Sequence, residues 1–151
     1  MSNFLLRNNK GYSLIEVLVV AGIIVLLAGI GIPYLRKYQP NLKLTATARD
    51  MVSDLRYAQQ LTITEQVVHI VEFDIFNGKY QILKLSAATS TIKMVELDSE
   101  VAIQQIDGLT NNQVRFNSYG AVSESGDITL VNVNSNTAVI NIKPSGYVRL
   151  E

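Results

Sequence analysis

The chain has 151 residues, with 13 Lys and Arg against 13 Asp and Glu, one His and no Cys or Trp. That length holds one globular domain, and the balanced charge excludes a protein that coats polyanions indiscriminately while leaving room for a small local basic patch. Without Cys there is no disulfide framework, no thiolate nucleophile and no Cys-based zinc site. The hydrophobic share of 48% is high for a soluble domain, so the distribution of these residues decides the class.

Residues 1–11 (MSNFLLRNNKG) are mostly polar and end with Arg7 and Lys10 just before an apolar run. From Val17 to Ile32 no side chain is charged or polar, and across Leu14–Leu35 the first turn's Glu16 is the only charge. A helix rising about 1.5 Å per residue crosses a bilayer core with about 20 residues. A domain this small has no centre wide enough to cover such a helix on all sides. The stretch therefore reads as a single membrane span. No small-residue cleavage site follows Ile32; Pro33, Tyr34 and the basic pair Arg36–Lys37 come instead, so the span stays in the mature protein. Charge does not orient it, because Arg36, Lys37 and Lys43 balance Arg7 and Lys10. Glu16 is costly near lipid. It either reaches back to the headgroups or meets a cationic partner on a neighbouring chain.

Past the span, Leu44, Ala48, Met51, Val52, Leu55, Ala58 and Leu61 recur at steps of three and four, the stripe of an amphipathic helix that packs on a core. Arg49, Asp50, Asp54, Arg56 and Gln60 fall on the other faces. Pro33 and Pro40 bend such a helix rather than end it. Residues 12–65 then form one kinked helix about 80 Å long, half in lipid and half on a domain.

From Val67 the period changes to two. Residues 67–75 and 79–85 around Asn77-Gly78 form a hairpin with a type I′ turn. Strands follow at 91–97, 100–105, 113–117, 127–133, 137–143 and 147–150, separated by turn residues such as Asp107-Gly108, Tyr119-Gly120, Ser125-Gly126 and Pro144-Ser145-Gly146. One long helix followed only by strands predicts an α+β fold, the helix packed on antiparallel sheet.

The run Lys10-Gly11-Tyr12-Ser13-Leu14-Ile15-Glu16-Val17-Leu18 resembles the cleavage and methylation motif of type IV prepilins and type II secretion pseudopilins. The resemblance implies a prepilin peptidase that cuts after Gly11 and methylates the new amino terminus of Tyr12, where Phe is commoner. Glu16 then becomes the fifth residue and Pro33 the twenty-second, the family's places for an assembly glutamate and a helix-kinking proline. The helix stretch Ala48–Leu61 and the ending Ile140–Arg149 are similar to the GspH/FimT branch of minor pseudopilins and minor pilins. The implied organisation is a leader at 1–11, a transmembrane and assembly helix at 12–35 and a periplasmic pilin-like domain at 36–151. The implied partners are the prepilin peptidase, other pilins or pseudopilins in a filament, and the inner membrane, which the chain crosses once. The new amine lies close to Glu16 and can also pair with it between subunits, setting register. Helices can approach closely at Gly22, Gly29 and Gly31.

No enzymatic function is expected: no nucleophile elbow, P-loop or zinc-protease motif is present. No cofactor or metal is expected either. Asp98 with Glu100, and Glu124 with Asp127, offer calcium-type oxygens but read as surface charge, and His69 as a solvated or hydrogen-bonded strand residue. The alternative function is DNA capture in natural transformation. Some FimT-like minor pilins use two arginines flanking one residue near the C-terminus; here the corresponding positions are Tyr147 and Arg149, so one arginine is missing. Residues 36–151 carry 11 basic and 12 acidic side chains, little charge for phosphate contacts. Tyr147 could stack on a base, or pack on its own sheet.

Overall fold

The computed structural model describes residues 11–151. Helix α1 runs Leu14–Glu65, 52 residues, and takes in both Pro33 and Pro40. It starts two residues after the expected Tyr12. The described chain divides into two compact units, one ending at Tyr38 and the other running Gln39–Glu151.

In the first unit α1 is bare: Leu14–Pro33 is long and apolar enough to cross a membrane, and none of it is buried. In the second unit α1 is half covered. Leu44, Ala48, Met51, Val52, Leu55 and Ala58 are all buried, as the three-and-four spacing predicts, and Leu61 is partly buried. The helix ends at Gln66, whose φ of 56° turns the chain and whose Nε2 donates to the carbonyl of Ile63 at 2.6 Å. That bond satisfies one of the acceptors a helix end leaves open.

Eight strands follow: β1 (His69–Asp74), β2 (Lys79–Leu85), β3 (Thr89–Glu96), β4 (Val101–Asp107), β5 (Gln113–Phe116), β6 (Gly126–Asn132), β7 (Thr137–Ile142) and β8 (Val148–Leu150). They form two four-stranded sheets, ordered β3-β2-β1-β5 and β4-β6-β7-β8. Every pairing is antiparallel. Residues from α1 (Met51, Leu55), the first sheet (Val71, Ile82, Phe116) and the second (Ile128, Leu130, Ile140) belong to one continuous core.

The β1–β2 hairpin departs from the expected turn. Asp74 pairs with Lys79 across four residues, and only Gly78 has positive φ, at 59°. A type I′ turn needs two such residues. Here the Asp74 carboxylate instead accepts from the Asn77 amide at 3.1 Å and from Asn77 Nδ2 at 2.7 Å, which fixes a longer loop with Phe76 fully exposed.

β3 is an edge strand exposed on nearly every residue. Its register shifts opposite Ile82/Leu83, leaving Ile92 without a partner in the ladder, and Lys93 reaches inward to Asp54. A bulge and an inward-pointing lysine both discourage edge-to-edge pairing.

Candidate processing and assembly site

Gly11, Tyr12 and Ser13 precede the helix in irregular backbone and are exposed. Tyr12 is 83% exposed, so the Gly11–Tyr12 bond lies on an accessible, non-helical segment. A peptidase needs such a segment, because cleavage within a helix would require unwinding its hydrogen bonds. The Ser13 carbonyl accepts the amides of Glu16 at 3.0 Å and Val17 at 3.2 Å and so opens α1. Glu16 lies in the first turn, where the positive end of the helix dipole favours a carboxylate. Gly11, Tyr12 and Glu16 thus lie together at the start of α1. Pro33 sits at the other end of the bare apolar segment. At Gly22, Gly29 and Gly31 a methyl group would meet nothing within 4 Å, so the helix backbone is open to another helix there.

The sheet unit carries the remaining candidates. Arg149 lies on edge strand β8 opposite Asn141, and its side chain is exposed. Tyr147 lies just before β8 and is 53% exposed, so about half of its surface is covered. The turn carrying it is closed by Gly146, which donates to the Lys143 carbonyl at 2.8 Å with a φ of 80°. A side chain at Gly146 would collide with the Gly120 carbonyl, so these two loops touch.

Several residues that organise this unit escaped sequence reading. Asp54 is buried at 7% exposure, not on an outer face. Its carboxylate accepts the Tyr80 hydroxyl at 2.8 Å and Lys93 Nζ at 2.6 and 2.8 Å, which ties α1 to β2 and β3. Burial first, and then the Asp54 carboxylate, push the Tyr80 hydroxyl far above its ordinary pKa. The signal for Asp54 was its position three residues after Met51 and next to Leu55, at the margin of the apolar stripe. Arg56 donates to the Val148 carbonyl at 2.9 Å, and Gln59 Nε2 to the Gly120 carbonyl at 2.6 Å, fastening α1 to the second sheet's edge and the adjoining loop. Of the two readings of His69 the hydrogen-bonded one holds: the residue is fully buried, with Nδ1 at 2.8 Å from the Val67 carbonyl and 3.1 Å from Thr62 Oγ1.

The carboxylate pairs considered for calcium are engaged elsewhere. Asp98 and Glu100 flank Lys43 Nζ at 3.1 and 3.0 Å. The Glu100 amide and Lys43 together hold the Asp98 carboxyl below its ordinary pKa. Glu124 accepts the Thr110 amide and hydroxyl at 2.6 and 2.8 Å, which likewise lowers its pKa. Asp127 accepts from Asn141 Nδ2 at 2.6 Å.

A family model for the prokaryotic N-terminal methylation motif matches residues 6–32, and one for type II transport protein GspH matches residues 47–146. The chain belongs to the GspH family. Among solved structures, it is similar to the minor pseudopilin EpsH from the type 2 secretion system of Vibrio cholerae (14% identity, TM-score 0.63, 72% of this chain and 96% of that one). It is also similar to the type IV minor pilin FimU of Pseudomonas aeruginosa (12% identity, TM-score 0.59, 76% and 92%). These likenesses establish the pilin-like α+β fold expected from the sequence. No curated protein matches the chain. This GspH-family chain is a structural subunit of the minor pseudopilin and minor pilin type. The comparisons give the DNA-capture alternative no support.

Proposed function

We propose that the chain is made as a precursor, cut after Gly11 and methylated on Tyr12 by a prepilin peptidase. Residues 12–35 then hold it in the inner membrane, with residues 36–151 in the periplasm, until the helix moves into a pseudopilus or pilus among other subunits. The observation that carries this reading is the combination of a methylation motif at residues 6–32 with a helix whose Leu14–Pro33 segment is apolar and uncovered. Such a surface is stable only in lipid or against other helices. Glu16 supplies the charge that the new amine of Tyr12, its own or a neighbour's, can neutralise. Pro33 interrupts the backbone ladder where the apolar segment ends, since it has no amide to donate.

The test is a Gly11→Val variant expressed with its native assembly system. A branched side chain before the scissile bond should block cleavage, leaving a membrane-held precursor that never enters sheared filaments. Mature-sized protein in that variant would overturn the processing reading.

A further inference from the structure

The cations of the sheet unit fall into two groups. Lys43, Lys79, Lys84 and Lys93 each pair with a carboxylate at 2.6–3.9 Å. Arg49 and Arg56 have no such partner. A helical side chain reaches neighbours three and four positions away, here Thr45, Ala46, Val52, Ser53, Gln59 and Gln60, and none of these is acidic. Steps of four, three and four put Arg49, Ser53, Arg56 and Gln60 along one exposed face of α1. With Tyr57, and with Leu150 of edge strand β8, they line a groove of about 540 Å³ that has no acidic residue on its walls. Arg56 Nη2 donates to the Val148 carbonyl at 2.9 Å, which fixes that guanidinium at the wall. The side chains of Arg49, Ser53, Tyr57 and Gln60 make no hydrogen bond or ion pair among the described residues.

Resting on the filament reading above, we propose that this groove receives a protruding acidic segment of a different subunit. The walls supply hydrogen-bond donors and positive charge, and a carboxylate is the group that complements both. Arg49 and Arg56 lie seven residues apart, about 10 Å along the helix axis. Two carboxylates two to four residues apart on an extended segment span about 7–14 Å, so one short segment meets both guanidiniums. Val52 and Leu150 add apolar surface beneath them, and arginine and tyrosine over an apolar floor are where interface energy concentrates. A neutral or basic segment would cover two guanidiniums without pairing them, so the groove also selects against such partners. A minor subunit has other chains for neighbours, and one copy of this chain is enough for the contact. Because its charges are partly solvated, the contact weakens with salt.

The experiment uses the full chain in its own membrane with its native assembly system. A photoreactive benzoylphenylalanine replaces Gln60 at the groove wall, or Ser53 in a second variant, with all charges kept. Illumination should join it to a different subunit, and mass spectrometry of the joined peptide should find at least two carboxylates within about four residues. Adding Arg49→Glu should lower the adduct more than about tenfold. Replacing the acidic residues of the joined segment by lysine should then restore it. Arg49 is exposed, so its reversal should leave thermal unfolding of the sheet unit unchanged. An adduct to a second copy of this chain, an adduct to a segment without carboxylates, or indifference to Arg49→Glu would overturn the proposal. Recovery of the unmodified protein in sheared filaments is scored in parallel. Protein in filaments without the adduct from either position defeats the groove contact alone, and the charge-dependent adduct without filament recovery defeats the filament reading alone.

Discussion

The two halves of α1 are built from the same kinds of residue yet meet opposite fates. Leu26, Leu27 and Ile30 are 70, 66 and 77% exposed, whereas Met51, Leu55 and Ala58 are at 0%. The second half spaces its apolar residues at three and four and fills the gaps with Arg49, Asp50 and Gln60, so a sheet core on one side suffices. The first half is apolar all round, and no single neighbour could cover it. The difference separates what folding of the chain satisfies from what only lipid or a filament can satisfy. About 20 residues at about 1.5 Å each match a hydrocarbon core of about 30 Å.

The sharpest way to break the comparison is to make one substitution in each half. Leu55→Ala should destabilise the sheet unit by about 2–5 kcal/mol, the usual cost of a cavity in a packed core. Leu27→Ala should leave the thermal unfolding of that unit unchanged, because Leu27 is exposed. Equal losses of melting temperature in both variants would contradict the division. A smaller effect is expected for Asp54→Ala, which leaves the buried Tyr80 hydroxyl without its acceptor at a cost of about 1–3 kcal/mol. Phe at position 80 in the same chain should recover part of that loss, a result that chemical denaturation can read.

Acid acts on the sheet unit through four of its carboxylates. Hydrogen bonds from neighbours depress the pKa values of Glu65, Asp74, Asp98 and Glu124 below the ordinary 4.5 for Glu and 3.8 for Asp. A depressed folded-state pKa means that the unfolded chain binds protons more readily. These groups therefore contribute fully above the ordinary values, and their contribution is lost as pH falls through the depressed ones. Stability measured by denaturant should be flat with respect to these groups near neutrality and decline in that acid range. The smallest effect belongs to Lys43→Ala. Its ion pairs with Asp98 and Glu100 are over a third solvent-exposed on the lysine side, so their loss should barely move the denaturation midpoint, and less still in high salt.

Much of this architecture was legible in sequence because it rests on local periodicity. The switch from a three-and-four spacing to alternation near Val67 locates the helix end, and all eight strands lie within about two residues of their expected ranges. The split into two sheets was not legible. Whether β5 joins β1 or β4 joins β6 depends on contacts far apart in the chain, to which local pattern is blind. Asp54 was misplaced because a carboxylate at the margin of an apolar stripe looks solvated until Tyr80 and Lys93, from distant strands, close over it. The contact of Gly120 with Gly146 was equally invisible: sequence marks two turns but not that they touch. At the amino end the opposite holds. Gly11, Tyr12 and Glu16 lie within a few residues of one another at the start of α1, so local pattern is enough to place them.

The central claim, that the bare half of α1 is exposed because the chain is processed and held by lipid or by other helices, reduces to the state of one residue. Mass spectrometry of the protein isolated from native membranes or filaments reads it directly. The account predicts an amino-terminal peptide beginning at N-methylated Tyr12. A peptide beginning upstream of Gly11 in filament-incorporated protein, or an unmethylated terminus elsewhere in the apolar segment, would contradict it.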